Sequence, residues 1–317
     1  MQKNAMTTIG FVGLGSMGAP LAGRLLAGNQ VYGTNRTPAR ARPLIERGLI
    51  WRDTPREVAA AARVVFSMVS DDAALAAITG GPDGILAGLR PGTLYVEMST
   101  VSPQVSRELA GRVRSAGATM IDAPVSGSVP AAETGTLTIM VGGPEAAFRA
   151  AEPLLHQLGG SVTHVGGNGQ GLLLKLAINI SLAAQMLAFS EGMLLAQRGG
   201  IDPRLAARAM TASAIGSPML RARAPLVLDL PEQAWFDVRL MHKDIRLALQ
   251  AGRQSNVPLP AASAADRELS LAEQMGYGHR DIAGLYQVLD RTAAQPAATT
   301  GPGTPALSAA GAESRPA

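Results

Sequence analysis

Short apolar runs punctuate the first half of the chain, and the stretches between them carry helix-start signals. Thr8 to Val12 (TIGFV), Gln30 to Thr34, Arg63 to Val69 (RVVFSMV), Thr93 to Met98 (TLYVEM), Thr119 to Ala123 (TMIDA), Leu137 to Val141 (LTIMV) and Val162 to Val165 read as buried strands. Runs this short, bounded by turn residues, fit strands better than helices. A helix is expected from the glycines after Val12 to about Gly28. Thr54-Pro55-Arg56-Glu57 has the form of a capping box with proline at the first helical position. Asp71 and Asp72 can cap the next helix, and Ser102-Pro103 opens another. Strand and helix in alternation predict an α/β, mainly parallel, doubly wound sheet with ligands at the carboxyl ends of its strands.

From Gly169 to Gln197 the pattern changes to GQGLLLKLAINISLAAQMLAFSEGMLLAQ, a helix apolar on every side. Such a helix is buried in protein or spans a membrane. Lys175, Asn179, Gln185 and Glu191 argue against lipid, where charge is costly. Beyond it the chain reads as helical, with starts at Asp202-Pro203 and an amphipathic helix opened by Lys243 and Asp244 and running to about Gly252. The expected organisation is a sheet domain over residues 1–167 and an all-helical C-terminal domain over 168–291. From Thr292 to Ala317 the chain is mostly Ala, Pro, Gly, Thr and Ser without periodicity, and a disordered tail is expected.

Composition narrows the function classes. A chain of 317 residues that is 47% hydrophobic can bury a sizeable core. Net charge is only +4 and aromatics are 3%, with no basic cluster, which argues against nucleic acid. With no cysteine there is no disulfide, thiol nucleophile or thiolate metal site. His156, His164, His242 and His279 lack metal-ligand spacing, so no metal is expected. No secretory apolar region precedes the first strand, and a cytoplasmic location is expected.

The first strand runs into Gly13-Leu14-Gly15-Ser16-Met17-Gly18, a GxGxxG turn between strand and helix. Its glycines let the backbone approach a pyrophosphate, and the helix N-terminus favours the anion. An NAD site would place an acid about 20 residues on, against the ribose hydroxyl. No acid occurs between Gly18 and Glu46; Asn35, Arg36 and Thr37 stand there, with Arg40 one turn later. Arginine pairs well with a 2′-phosphate, so NADP(H) is expected in preference to NAD(H). Met68, Val69, Ser70 and Thr100 lie at strand ends and are expected to border the cofactor.

Three further stretches carry candidate chemistry. Lys175 and Asn179 stand at i, i+4 on one face of the apolar helix and need partners there. Alternatively Lys175 snorkels to the surface. Of 28 basic residues only Lys3, Lys175 and Lys243 are lysines. A lysine kept in an apolar helix suits a need that arginine cannot meet, such as a pKa lowered by burial. Ser126-Gly127-Ser128, after a proline that stops the fifth strand, offers two hydroxyls and nearby amides to an anion, although by itself it reads as an ordinary small-residue turn. The Met241-His242-Lys243-Asp244-Ile245-Arg246 run is either a functional motif or a solvated charged face.

Taken in order, GFVGLGSMG, NRT, EMST, DAPVSGS, GLLLKLAIN and HKD resemble the β-hydroxyacid dehydrogenase family, over about residues 8 to 290. The Asn35-Arg36-Thr37 turn, the Phe189 stretch and the run from His242 to Leu247 look most like its glyoxylate and succinic semialdehyde reductase branch. The resemblance implies a Rossmann domain, then a helical domain, linked by the helix from Gly171. It implies Lys175 as catalytic acid/base and Ser126 and Gly127 holding a substrate carboxylate. It also implies Asn179 on the reacting oxygen or carboxylate, Lys243 closing over the cofactor, and Phe236 walling the pocket. Ser128 stands where many members have a second glycine. Family members are usually dimers or tetramers. The activity implied is reversible reduction of small aldehyde- or keto-acids with NADPH. An imine reductase of the same fold commonly has an aspartate or tyrosine where this chain has Lys175. A non-catalytic NADP-binding regulator would be expected to have lost that lysine.

Overall fold

Burial makes the strands. In the computed structural model, which describes residues 7–294, four of the five residues of β1 (Thr8–Val12) are buried. All four residues of β4 and of β5 are buried as well, as strands covered on both faces must be. The chain continues through α1 (Gly18–Leu25), β2 (Gln30–Thr34), α2 (Arg42–Glu46), β3 (Ile50–Trp51), α3 (Pro55–Ala61), β4 (Val64–Ser67), α4 (Asp72–Thr79) and α5 (Ile85–Gly88). Then come β5 (Leu94–Glu97), α6 (Pro103–Ser115), β6 (Thr119–Asp122), β7 (Val125–Ser126), α7 (Val129–Thr134), β8 (Leu137–Gly142), α8 (Glu145–Leu155) and β9 (Gly159–Gly166). The capping signals act as read. Thr54 and Glu57 close a reciprocal capping box on α3, Asp71 caps α4 through the Ala74 N–H, and Ser102 caps α6.

The sheet order is β3-β2-β1-β4-β5-β6-β8-β7, with β9 on β8. β1 to β6 are parallel; β8 runs antiparallel to β6 and β7, and β9 parallel to β8. The order reverses beside β1, and the crevice at that switch point is where an open α/β sheet takes its ligand. One face is covered by α1, α2, α7 and α8, the other by α3 to α6 and Leu172. The two-residue strands β3 and β7 have no period to detect in sequence.

After Gly166 every element is helical: α9 (Gln170–Arg198), α10 (Pro203–Ala212), α11 (Pro218–Leu228), α12 (Val238–Gln254), α13 (Pro260–Gln274) and α14 (Leu285–Ala294), apart from a 3₁₀ turn at Ile282–Gly284. α9 is the axis of this part, touching α10 to α14 and the sheet through β6, β7, β8 and β9. By length and composition it could cross a membrane, but it is a core helix, with Lys175, Asn179, Met186, Phe189 and Met193 against protein.

Three expectations need correction. α9 is not enclosed on every side: Leu173, Leu174, Ala177, Ala188 and Leu195 are exposed along its other face, Leu195 at 77%. α12 opens at Val238, not at Lys243, because Asp237 caps it by accepting the Leu240 N–H at 2.7 Å. Lys243 and Asp244 therefore sit in its second turn. Finally, α14 runs to Ala294, past the expected tail boundary at Thr292, with the Thr292 hydroxyl bonded back to the Val288 carbonyl. The rest of the expected tail lies outside the described residues.

Candidate active site

The glycine turn after β1 is built for close approach. Gly13 holds φ at +97°, and a Cβ there would strike the Met68 carbonyl. A Cβ at Gly18 would strike the Gly13 carbonyl, whereas one at Gly15 would meet nothing within 4 Å. Gly13 and Gly18 thus make the turn, and Gly15 leaves an open cradle for a diphosphate. No side chain caps α1 and no acid stands in its first turn, so its amide end faces the cradle uncompensated. Ser16 is exposed and Met17 half-buried. The Leu14 side chain is core, 1% exposed, so only its backbone can serve a cofactor.

Asn35 ties this turn to the end of β2. Its carbonyl oxygen accepts the Leu14 N–H at 2.9 Å, and its amide donates to the Thr37 carbonyl at 3.0 Å. Arg36, Thr37 and Arg40 stand exposed beside it. Met68 and Val69 are half-buried and Ser70 exposed after β4. The Ser99 hydroxyl accepts the Val69 N–H at 2.8 Å and fixes that strand end to the one carrying Thr100. The expected cofactor residues other than Lys243 thus gather at the carboxyl ends of β1, β2, β4 and β5.

Lys175 does not snorkel. It is 7% exposed, and its ammonium donates to Asn179 Oδ1 at 2.9 Å. The Asn179 amide donates to Asp244 Oδ2 at 2.6 Å, and the other Asp244 oxygen forms an ion pair with Lys243 at 2.8 Å. Lys243 also donates to the Thr100 carbonyl. A continuous polar chain therefore runs from α9 through α12 to the sheet. Burial lowers the Lys175 pKa to about 8; Asp244 opposes the shift and Lys243 adds to it.

Two buried acids below this chain escaped the sequence reading. Asp122, 0% exposed, accepts the Gly169 N–H at 2.6 Å and the Leu172 N–H at 3.1 Å, capping the start of α9. Glu97 on the neighbouring strand accepts the Ser99 N–H at 2.7 Å, and its second oxygen is buried without a partner. Burial raises Glu97 to about 8 and Asp122 to about 6, and the nearby Asp122 carboxylate adds to the rise at Glu97. The available signal was an acid inside an apolar strand, in TLYVEM and in TMIDA. Asp244 was legible only as part of a motif.

Ser126 ends β7, which packs against α9, and Gly127 takes φ +132°. Ser128 is half-buried at the start of α7 with its hydroxyl free of a capping bond. Phe236 is half-buried against the helical core, one residue before the cap of the helix that carries Lys243.

Residues 8–166 match the family described as the NAD binding domain of 6-phosphogluconate dehydrogenase. Residues 169–289 match the NAD-binding region of NADP-dependent 3-hydroxyisobutyrate dehydrogenase. The chain is 33% identical to 2-(hydroxymethyl)glutarate dehydrogenase of Eubacterium barkeri, over 89% of this chain and 95% of that one. The chain belongs to the β-hydroxyacid dehydrogenase family. Within this family it is also 32% identical to the chloroplastic glyoxylate/succinic semialdehyde reductase 2 of Arabidopsis thaliana, over 89% of this chain and 79% of the relative. Among solved structures, Mycobacterium tuberculosis 3-hydroxyisobutyrate dehydrogenase with L-serine superposes with a TM-score of 0.80 at 30% identity, covering 90% of this chain and 99% of that one. Like the rest of the family it is an NAD(P)-binding oxidoreductase of the hydroxyacid dehydrogenase type.

Proposed function

We propose that this chain is an NADP(H)-dependent dehydrogenase that interconverts small β-hydroxy or 2-hydroxy acids with their semialdehydes or keto-acids. The observation that carries the reading is Lys175: buried, bonded to Asn179, and brought to a pKa of about 8. The turn from Gly13 to Gly18, with Asn35, Arg36 and Thr37, would hold NADP(H), which when bound would supply the hydride taken up by the carbonyl carbon. Lys175 gives its proton to the carbonyl oxygen as the C=O π bond opens, leaving the alcohol and a neutral amine. In the oxidative direction the neutral amine takes that proton back. Asn179 orients the ammonium without adding charge. The ammoniums of Lys175 and Lys243 outnumber the carboxylate of Asp244, and that excess suits an anionic substrate. Ser126, Gly127 and Ser128 are assigned to its carboxylate and Phe236 to the pocket wall.

Preference for NADP(H) is supported by the exposed Arg36 and Arg40 beside β2 and by the absence of an acid at that strand end. Assembly into a homodimer or homotetramer is supported by the exposed apolar row on α9. An imine reductase or a non-catalytic regulator is disfavoured by the intact Lys175–Asn179–Asp244 chain. Glyoxylate, succinic semialdehyde, tartronate semialdehyde and methylmalonate semialdehyde, each with NADPH and with NADH, form the deciding panel. Turnover of at least one, faster with NADPH, is expected at the nicotinamide absorbance. No turnover of any would sink the reading.

A further inference from the structure

The loop between α11 and α12 carries Trp235 and Phe236, both half-buried. One buried carboxylate holds it. Asp281 is 0% exposed, and its Oδ2 accepts the backbone N–H groups of Trp235 at 2.9 Å and Phe236 at 3.1 Å. Its Oδ1 accepts the Ala283 N–H at 3.0 Å and the guanidinium of Arg223 at 2.6 Å. Arg223, on α11, is itself only 5% exposed, and its guanidinium lies 6.0 Å from the centre of the Trp235 ring. The loop is clasped again by backbone bonds, from the Ile282 N–H to the Phe236 carbonyl at 3.1 Å and from the Val238 N–H to the Arg280 carbonyl at 3.0 Å.

A buried ion pair is weak evidence of stability, because apolar residues of similar volume often serve as well; its better-attested use is to specify one conformation. What this pair specifies is the backbone at Phe236. That residue immediately precedes the cap of α12 and stands seven positions before Lys243, which reaches across to Thr100. We propose that Arg223 and Asp281 are positioning residues for the aromatic wall of the substrate pocket. They fix where Phe236 stands relative to Lys243 and so set the length of acid on which the pocket closes. The pocket role rests on the proposed function; the fixing of the loop does not.

The test uses full-length Arg223→Lys and Asp281→Asn in a Trp51→Phe background, so that Trp235 is the sole tryptophan of the two in the chain. Arg223→Lys keeps the charge and loses the fork, so it carries the test if Asp281→Asn fails to fold. Acrylamide quenching of Trp235 with saturating NADP+ should rise at least about two-fold in both variants, as expected of a locally loosened segment. KM for acid substrates should rise about ten-fold with kcat within about three-fold and KM for NADPH unchanged, the signature of lost uniform binding. The KM ratio between glyoxylate and succinic semialdehyde should also move. Folded variants with unchanged quenching overturn the proposal. So does raised quenching with an unchanged KM ratio, or a lower Tm with both unchanged, which would make the pair structural only. If the parent turns over none of the acids, the functional reading fails, while quenching still judges the loop.

Discussion

At Lys175 burial and charge pull in different directions, and the balance decides when the residue can work. Desolvation pushes the ammonium toward neutrality, Lys243 pushes the same way, and Asp244 holds the proton on. A proton donor is charged below its pKa, so reduction should be fastest below about pH 8 and fall above it, while oxidation rises through the same midpoint. Asp244→Asn removes the group that raises the pKa and leaves Lys243 unopposed, so the midpoint of the kcat profile should move to lower pH. An unmoved midpoint would detach Asp244 from the proton step. Lys175→Arg keeps the charge but cannot release a proton, so kcat should fall by about 10²–10⁴ with NADPH still bound. Retention of kcat within a few-fold would send the search for the donor to Lys243. Arg36→Ala should weaken NADPH use and spare NADH, since only the phosphate distinguishes them; equal losses would end the 2′-phosphate assignment. Lys175 and Asn179 were legible in sequence because their spacing puts them on one helix face. Their closure by Asp244 was not, since it spans 65 residues and no local pattern reports such a pairing.

The start of α9 shows how an element is placed by groups that serve no catalytic step. Asp122 receives its first amides, and Gly142 and Gly171 let helix and sheet close around that carboxylate: a Cβ at either would come within 2.8 Å of it. Lys175 lies one turn beyond Gly171, so this anchor sets its height above the sheet. The cost appears at Glu97. Folded, it keeps its proton to about pH 8; unfolded, it releases it near 4.5. Between those values the folded chain binds more protons, so stability must fall as pH rises through that window. Glu97→Gln is neutral throughout and should flatten the decline of Tm between pH 5 and pH 8, a difference on the order of a few kcal/mol at the upper end. Parallel curves for parent and variant would show that Glu97 is not the buried acid responsible. At this scale the long strands and capped helices were readable because periodicity and capping are local. The start of α12 differs from the sequence expectation because its cap is the Asp237 side chain, six residues before the Lys-Asp pair.

In the whole molecule, sheet and helical parts meet along α9 and again where Lys243 reaches the Thr100 carbonyl and Gln254 reaches Gln104. Thr100 follows β5, at the strand end proposed to border the cofactor. The opposite face of α9 has a different character. Leu173, Ala177, Ala188 and Leu195 follow one another at helical spacing, exposed in the single chain, with Ser181 and Glu191 as the polar members of the stripe. Solvated apolar rows of this length on a long helix are uncommon in monomers and mark contact surfaces, which is why an assembly of identical chains is proposed. Closed assemblies of one chain type are most often two-fold, and a two-fold contact buries the same row on both partners. Ala188 tests this well: it is exposed, and it stands thirteen residues beyond Lys175, about 20 Å along the helix. Ala188→Arg places a long charged side chain in the middle of the row, where self-pairing would crowd it against the partner helix and strip it of water. The parent should sediment as a dimer or tetramer and Ala188→Arg at half the parent's mass, with the same circular dichroism and the same Lys175-dependent pH midpoint. A parent that sediments as a monomer, or a variant that keeps the parent's mass, would move the interface off this face of α9.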